Sequence, residues 1–238
     1  MKNLVILSGA GMSAESGIST FRDEGGLWDK YPVEQVATPE GYARNPELVI
    51  NFYNERRKQL LDVVPNAGHL GVADLERDFN VTVVTQNVDN LHERAGSTHV
   101  IHLHGELTKV CSSRDPYNPH FVKELAPEEY EVKLGDKAGD GTQLRPFIVW
   151  FGESVPEIET AIRYVEQADI FVIIGTSLNV YPAAGLLNYV PRAAEVYLID
   201  PKPVDTHVMR PIHVIQKGAS EGVKELKALL AATQPPLP

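Results

Sequence analysis

Several groups of residues in this chain have types and spacings that can do chemistry. Gln86-Asn87-Val88-Asp89 puts two carboxamides and an acid directly after the apolar run Val81 to Thr85. Polar groups clustered at the end of a buried strand sit where open α/β sheets bind ligands. A strand-end turn that caps the next helix, through Asp89 or Asn87, is the plainer reading. His102 and His104 lie two apart, on one face of a short strand, Val100 to Gly105. A metal pair is one reading, although no third ligand follows at useful spacing. Core histidines bonded to the backbone are commoner. An imidazole near its ordinary pKa of about 6.5 can also accept a proton at neutral pH. Tyr53 and Arg56, three apart, share one face of a helix, where a surface arginine beside a half-buried tyrosine is the default reading.

Two small-residue turns complete the set. Leu4-Val5-Ile6-Leu7 reads as a buried parallel strand and runs into Ser8-Gly9-Ala10-Gly11, after which Met12 to Glu15 can start a helix. Bare backbone N–H groups and a helix N-terminus would then face one point, a natural anion site. Gly9-x-Gly11-x-x-Ala14 fits the loose dinucleotide fingerprint, which is weak evidence alone. Asp169 to Ile174 is a second buried strand, closed by Gly175-Thr176-Ser177 and a helix after Pro182, and repeats that logic. Asp200 ends the strand Glu195 to Ile199, where an acid can hold ribose hydroxyls.

The elements that must position these residues alternate strand and helix. Val33 to Val64 reads as helix in two pieces, the second opened by Asn45 as cap and Pro46 at the first position. Asn66 to Leu70 starts a short helix after Pro65, and Glu157 to Gln167 is another. Val214-Ile215 is a last short strand before a helix from Gly218-Ala219-Ser220. Ile18 to Trp28 has neither a strand's alternation nor a helix's period, and Gly25-Gly26 and Pro32 read as an ordered but mobile loop. A hydride-transfer domain would need a second strand ending in an acid there, so the dehydrogenase reading fails. Glu106 to Leu144 is the most irregular stretch. The order predicts an α/β fold, a Rossmann-like doubly wound parallel sheet built from both chain ends. A smaller module is inserted at about 30–64 and 106–144, within one catalytic domain spanning 1–238.

Composition bounds the function. The 238 residues are 43% hydrophobic and 23% charged, enough for one large domain with an insert. No apolar run is long enough to cross a membrane, and Met1-Lys2-Asn3 leads straight into a strand, so a cytoplasmic protein is expected. A formal charge of −10 argues against sequence-independent nucleic-acid binding. It suits long-range steering of lysine-rich proteins, or simply solubility. The single cysteine, Cys111, excludes an intrachain disulfide and a four-cysteine zinc site.

GAGMSAESGISTFR, residues 9–22, resembles the signature of the sirtuins, the NAD-dependent protein-lysine deacylases, usually GAGxSxxSGIPxFR. Ser19 stands where that family usually has proline. Gln86-Asn87-Val88-Asp89, His104-Gly105, the 145–153 run and Gly175-Thr176-Ser177 follow in the family's order. The resemblance implies an NAD site that takes in Gly9, Ala10, Gly11, Ser13, Phe21, Arg22 and Trp28 from the first motif. Gln86, Asn87 and Asp89 would contact the nicotinamide and its ribose. Gly175, Thr176, Ser177, Asp200 and Ala219 would complete the site, Ala219 near the adenine, although the family often has Asn in place of Asp200.

The implied reaction is removal of an acyl group from a protein lysine, giving nicotinamide and O-acyl-ADP-ribose. The acyl oxygen attacks the nicotinamide ribose, with Asn87 and Asp89 ordering the site, and His104 takes a ribose hydroxyl proton. Val149 and Phe151 would line the acyl-lysine tunnel, while their strand pairs with the substrate backbone. By the same resemblance, Tyr53 and Arg56 mark the class that removes succinyl and malonyl groups. A guanidinium fork and a phenol hydroxyl both suit a terminal carboxylate. Most sirtuins hold a structural zinc with two Cys-x-x-Cys pairs. Here Cys111 stands alone, Arg114 occupies a partner's place, and Cys111 with His120 is at most half a site. No zinc is expected, and packing or a partner chain must hold the small module. A mono-ADP-ribosyltransferase and a non-catalytic NAD or ADP-ribose sensor are the rival readings. Acylated lysines of proteins are the expected partners, not nucleic acid or membrane.

Overall fold

The structure, a computed structural model, describes residues 1–20, 30–206 and 208–233. Phe21, Arg22 and Trp28, and most of the loop expected over Ile18 to Pro32, lie outside the described residues. Nine strands are described: β1 (Asn3–Ser8), β2 (Asn80–Thr85), β3 (Val100–His102), β4 (Gly105–Ser112), β5 (Lys123–Glu124), β6 (Leu144–Ile148), β7 (Ile170–Ile174), β8 (Glu195–Ile199) and β9 (His213–Ile215). Six of them form one parallel sheet in the order β3-β2-β1-β7-β8-β9.

Both faces of this sheet are buried, which is why its strands read as near-continuous apolar runs. Val5 and Leu7 of β1, with Phe171 and Ile173 of β7, point to one face. They pack there on Ala161 and Val165 of helix 158–165 and on the 3-10 segment Ala183–Tyr189. Leu4 and Ile6, with Ile170, Val172 and Ile174, point to the other face, against helices 67–74 and 219–233. Strand order reverses between β1 and β7, and the crevice beyond that point is where such sheets bind ligands. The two small-residue turns both leave the sheet there.

A second, antiparallel sheet, ordered β5-β4-β6, forms the smaller module. Three helices face it, here α1 (Val33–Val36), α2 (Pro39–Arg44) and α3 (Pro46–Asp62). The expected first helical piece is therefore two helices. Thr38 breaks it by capping α2, its Oγ1 accepting from Gly41 N at 3.0 Å, with Pro39 behind it. The Asn45 cap and Pro46 start of α3 are as expected, Leu48 N donating to Asn45 Oδ1 at 3.1 Å. Val49, Phe52, Tyr53 and Leu60 of α3 pack on Leu107, Ile148 and Trp150 of the module.

The stretch expected to be most irregular instead opens with the eight-residue β4. Its register against β6 shifts between Gly105 and Val110, so Leu107 and Val110 both turn inward although three apart. Polar ties hold the rest. Ser112 Oγ donates to Asp140 Oδ2 at 2.7 Å and accepts from the N–H groups of Arg114 and Asp115, both at 3.0 Å. Thr142 donates to Asp140 Oδ1 at 2.7 Å. Arg145 forms a two-pronged pair with Glu153, 2.8 and 3.0 Å, and lies 3.6 Å over the Trp150 ring.

Cys111 is fully buried, its thiol aimed at Pro146 O at 3.7 Å and pushed up to about 12 by burial. That environment disfavours the thiolate a metal requires. Among the described residues no group of three or more His, Cys, Asp or Glu side chains could hold a metal ion. No described helix is long and apolar enough to cross a membrane.

Candidate active site

The Gly9–Gly11 turn and the Gly175 turn interlock at the switch point. Gly9 N donates to Ile174 O and Gly11 N to Gly175 O, each at 2.9 Å. Gly175 has φ +62°, and a Cβ there would run into Met12 N and Gly11. The expected helix over Met12 to Glu15 is two 3-10 turns, Ala10–Met12 and Ala14–Ser16. Two glycine N–H groups that were expected to face a ligand thus bind the loops to each other. The result is a cradle with no side chain at its closest approach, which fits a pyrophosphate and so fits NAD.

The β2 end lies across this cradle. Gln86 Nε2 donates to Thr176 Oγ1 at 3.0 Å, joining two expected NAD residues from different strands. Asn87 Nδ2 donates to Gly9 O at 3.0 Å and to Ser13 Oγ at 3.1 Å. Ser13 donates in turn to Asp89 Oδ2 at 2.9 Å, and Asp89 Oδ1 accepts from Leu91 N at 3.1 Å. Asp89 therefore braces the turn into helix 91–94. Burial raises its carboxyl pKa, against the bonds from Leu91 and Ser13 and the charge of His102. Ser13, Asn87 and Asp89 are all buried, and these bonds join them in one network.

His104 follows β3, and its Nδ1 lies 3.1 Å from Gln86 O. A carbonyl only accepts, so Nδ1 carries the hydrogen and Nε2 keeps its lone pair. Burial lowers its pKa, which keeps the ring neutral at pH 7. The Val149 N–H donates to His104 O at 2.9 Å, so the half-buried Val149 is tied to His104. Phe151 is 45% exposed and its N–H donates to Ala37 O at 3.0 Å. Ser177 is exposed, Asp200 Oδ1 accepts from Lys202 N at 2.8 Å, and buried Ala219 begins helix 219–233.

Tyr53 is buried in the same apolar cluster as Leu91, Trp150 and the partly buried Val88, which brings α3 against the Gln86–Asp89 turn. Trp150 Nε1 donates to Tyr53 Oη at 3.1 Å. Burial raises the phenol's pKa, so its own O–H remains available to donate. Arg56 lies 4.9 Å over the Phe52 ring, its Nη2 is 3.6 Å from Glu55 Oε2, and its Nε and Nη1 are buried with no hydrogen-bond partner.

A sequence profile of the Sir2 family matches residues 9–182. The chain belongs to the Sir2 family. Two relatives, from Bacteroides thetaiotaomicron and Helicobacter pylori, are each named NAD-dependent protein deacylase. The first is 84% identical over 97% of this chain and 98% of its own. The second is 50% identical over 95% of this chain and 96% of its own. A solved Sir2 homologue–NAD complex superposes with TM-score 0.84 at 38% identity, covering 98% of this sirtuin and 91% of that chain. A Sir2 variant with a deacetylated p53 peptide and 3′-O-acetyl ADP-ribose gives TM-score 0.79 at 28% identity, covering 95% and 92%.

Beneath the site lies a polar layer that the sequence did not announce. Ser8 Oγ donates to Thr85 Oγ1 at 2.8 Å and lies 3.1 Å from His92 Nε2. The rings of His92 and His69 meet edge to face at 4.9 Å, and His69 caps its own helix with Asn66. Glu15, inside the first motif, accepts from Ser220 N at 3.1 Å and so fixes helix 219–233. Residues 205 apart in sequence leave no periodic signal, so only the fold reveals that pair.

Proposed function

We propose that this NAD-dependent protein deacylase acts on lysines carrying acidic acyl groups, succinyl and malonyl, as well as acetyl. The observation that carries the reading is Arg56, a guanidinium with two buried N–H-bearing nitrogens left unpaired beside Tyr53. Unpaired buried donors are costly, and a carboxylate delivered by the substrate would satisfy them. Tyr53 adds a second donor, held by Trp150. A charge-assisted bond contributes about 1.5–3 kcal/mol, enough for roughly tenfold or greater preference over an uncharged acyl group.

NAD supplies the ribose carbon that takes the acyl oxygen as nicotinamide leaves. In this reading His104, neutral and with Nε2 free of the Gln86 bond, accepts the ribose hydroxyl proton. Asn87 and Asp89, held by Ser13, present fixed dipoles and charge to the nicotinamide and ribose. Val149, anchored to His104, lines the acyl-lysine path together with Phe151. Turnover of succinyl- and acetyl-lysine peptides of one sequence, in wild type and Arg56→Met, tests this. The proposal requires succinyl turnover to collapse selectively, and an equal fall on both peptides would refute it.

A further inference from the structure

His102 stands two residues before His104, and its surroundings are the more unusual. Its side chain is 8% exposed. Nδ1 lies 2.9 Å from Asn87 O and Nε2 lies 2.7 Å from Glu93 Oε1. Both neighbours are acceptors: a carbonyl always, and Glu93 as the carboxylate that its lowered pKa favours. A neutral imidazole has one N–H and would set a lone pair against one of them. Only the imidazolium satisfies both.

The charge sits in a defined field. Glu93 comes from helix 91–94, Asp89 from the turn before it, and Glu106, paired with Lys109 at 2.7 Å, from β4. Lys109 adds a cation beside Glu106 and Glu93, and His92, buried, is held neutral by desolvation and by the charges of His69 and His102. Among the described residues no carboxylate acts on His104 in this way, and burial keeps it neutral. Two histidines at the end of β3 thus grip consecutive carbonyls, Gln86 O by His104 and Asn87 O by His102.

We propose that His102 is a positioning residue for the NAD site. As an imidazolium clamped between the Glu93 carboxylate and the Asn87 carbonyl, it holds the Gln86–Asp89 turn in register with the glycine cradle. Asn87 is then fixed from both sides, its carboxamide by Gly9 O and Ser13, its backbone by His102. When the proton leaves at alkaline pH, the carboxylate keeps the remaining N–H on Nε2 and the Asn87 carbonyl faces a lone pair. The turn loosens and NAD binds less well. This rests on the reading of Asn87 as an NAD contact.

Initial rates with NAD varied, from about pH 7 to about pH 9.5, test the clamp on the full chain. In the wild type the KM for NAD rises about fivefold or more across this range while kcat changes less than about twofold. In Glu93→Gln a neutral His102 can donate to Asn87 O and accept from the new amide, so KM becomes independent of pH. In His102→Leu KM is high at every pH. A wild-type KM that does not rise, or a rise that survives in Glu93→Gln, overturns the clamp even if His102→Leu does not fold. Asn87→Ala separates the premise: an unchanged KM for NAD in that variant refutes the site reading itself.

Discussion

Arg56 and Arg57 are chain neighbours with opposite hydrogen-bond states. Arg57, 3% exposed, donates from Nε to Tyr130 O at 2.7 Å, from Nη2 to Asn54 Oδ1 at 2.7 Å and from Nη1 to Leu107 O at 3.4 Å. Arg56 leaves Nε and Nη1 unpaired, with Nη2 3.6 Å from Glu55 Oε2. One arginine ties the helix to the small module, and the other leaves two of its nitrogens unpaired.

This difference predicts unequal effects on stability. Arg57→Ala removes bonds to two buried carbonyls and a carboxamide and should lower unfolding free energy by about 2–4 kcal/mol. Arg56→Met removes unsatisfied donors and should be neutral or slightly stabilising. Urea denaturation of the two variants measures both.

His104 should govern the acid side of the rate profile. A base must be unprotonated, and burial lowers the His104 pKa below 6.5. Deacylation should therefore hold from neutral pH downward and fall only as pH drops through that lowered value. His104→Ala should lose roughly 10²–10⁴ in kcat with the fold intact, read by the same denaturation curve. An unchanged kcat would remove His104 from the chemistry.

The small module should be indifferent to chelators. Ser112, Asp140 and Thr142 cross-link its loops by hydrogen bonds, and these bonds hold the Asp140 carboxyl down to about 2. Its folded pKa lies below the unfolded one, so its contribution is present above about pH 4 and is lost as pH falls toward 2. Prolonged EDTA should leave melting temperature and turnover unchanged, whereas Asp140→Ala should lower the melting temperature. A loss of either property in EDTA, restored by zinc, would contradict this.

What could be read in advance follows from how local each signal is. β1, β2 and β7 are short, two-sided apolar strands, and their runs in the sequence show it. Asn45 and Pro46 mark the start of α3 because a cap acts within three residues. β4 escaped notice because its register shift breaks the alternation that identifies strands. The turns after Gly9 resemble a helix start in composition, but closure against Gly175 makes them 3-10. Ser13 stands in a binding motif and also hydrogen-bonds Asn87 and Asp89, more than seventy residues on. Contacts that distant in sequence are not encoded in motif spacing. The Glu93–His102–Asn87 clamp joins a helix, a strand and a turn, and needed all three in place.

The most direct measurement compares two peptides that differ in a single group. One carries succinyl-lysine and the other its primary-amide isostere, with the carboxylate replaced by a carboxamide. If Arg56 and Tyr53 recognise a carboxylate, kcat/KM for the succinyl peptide is about tenfold or more higher, and Arg56→Met erases the difference. Equal kcat/KM on the two peptides in the wild type would contradict the proposed specificity.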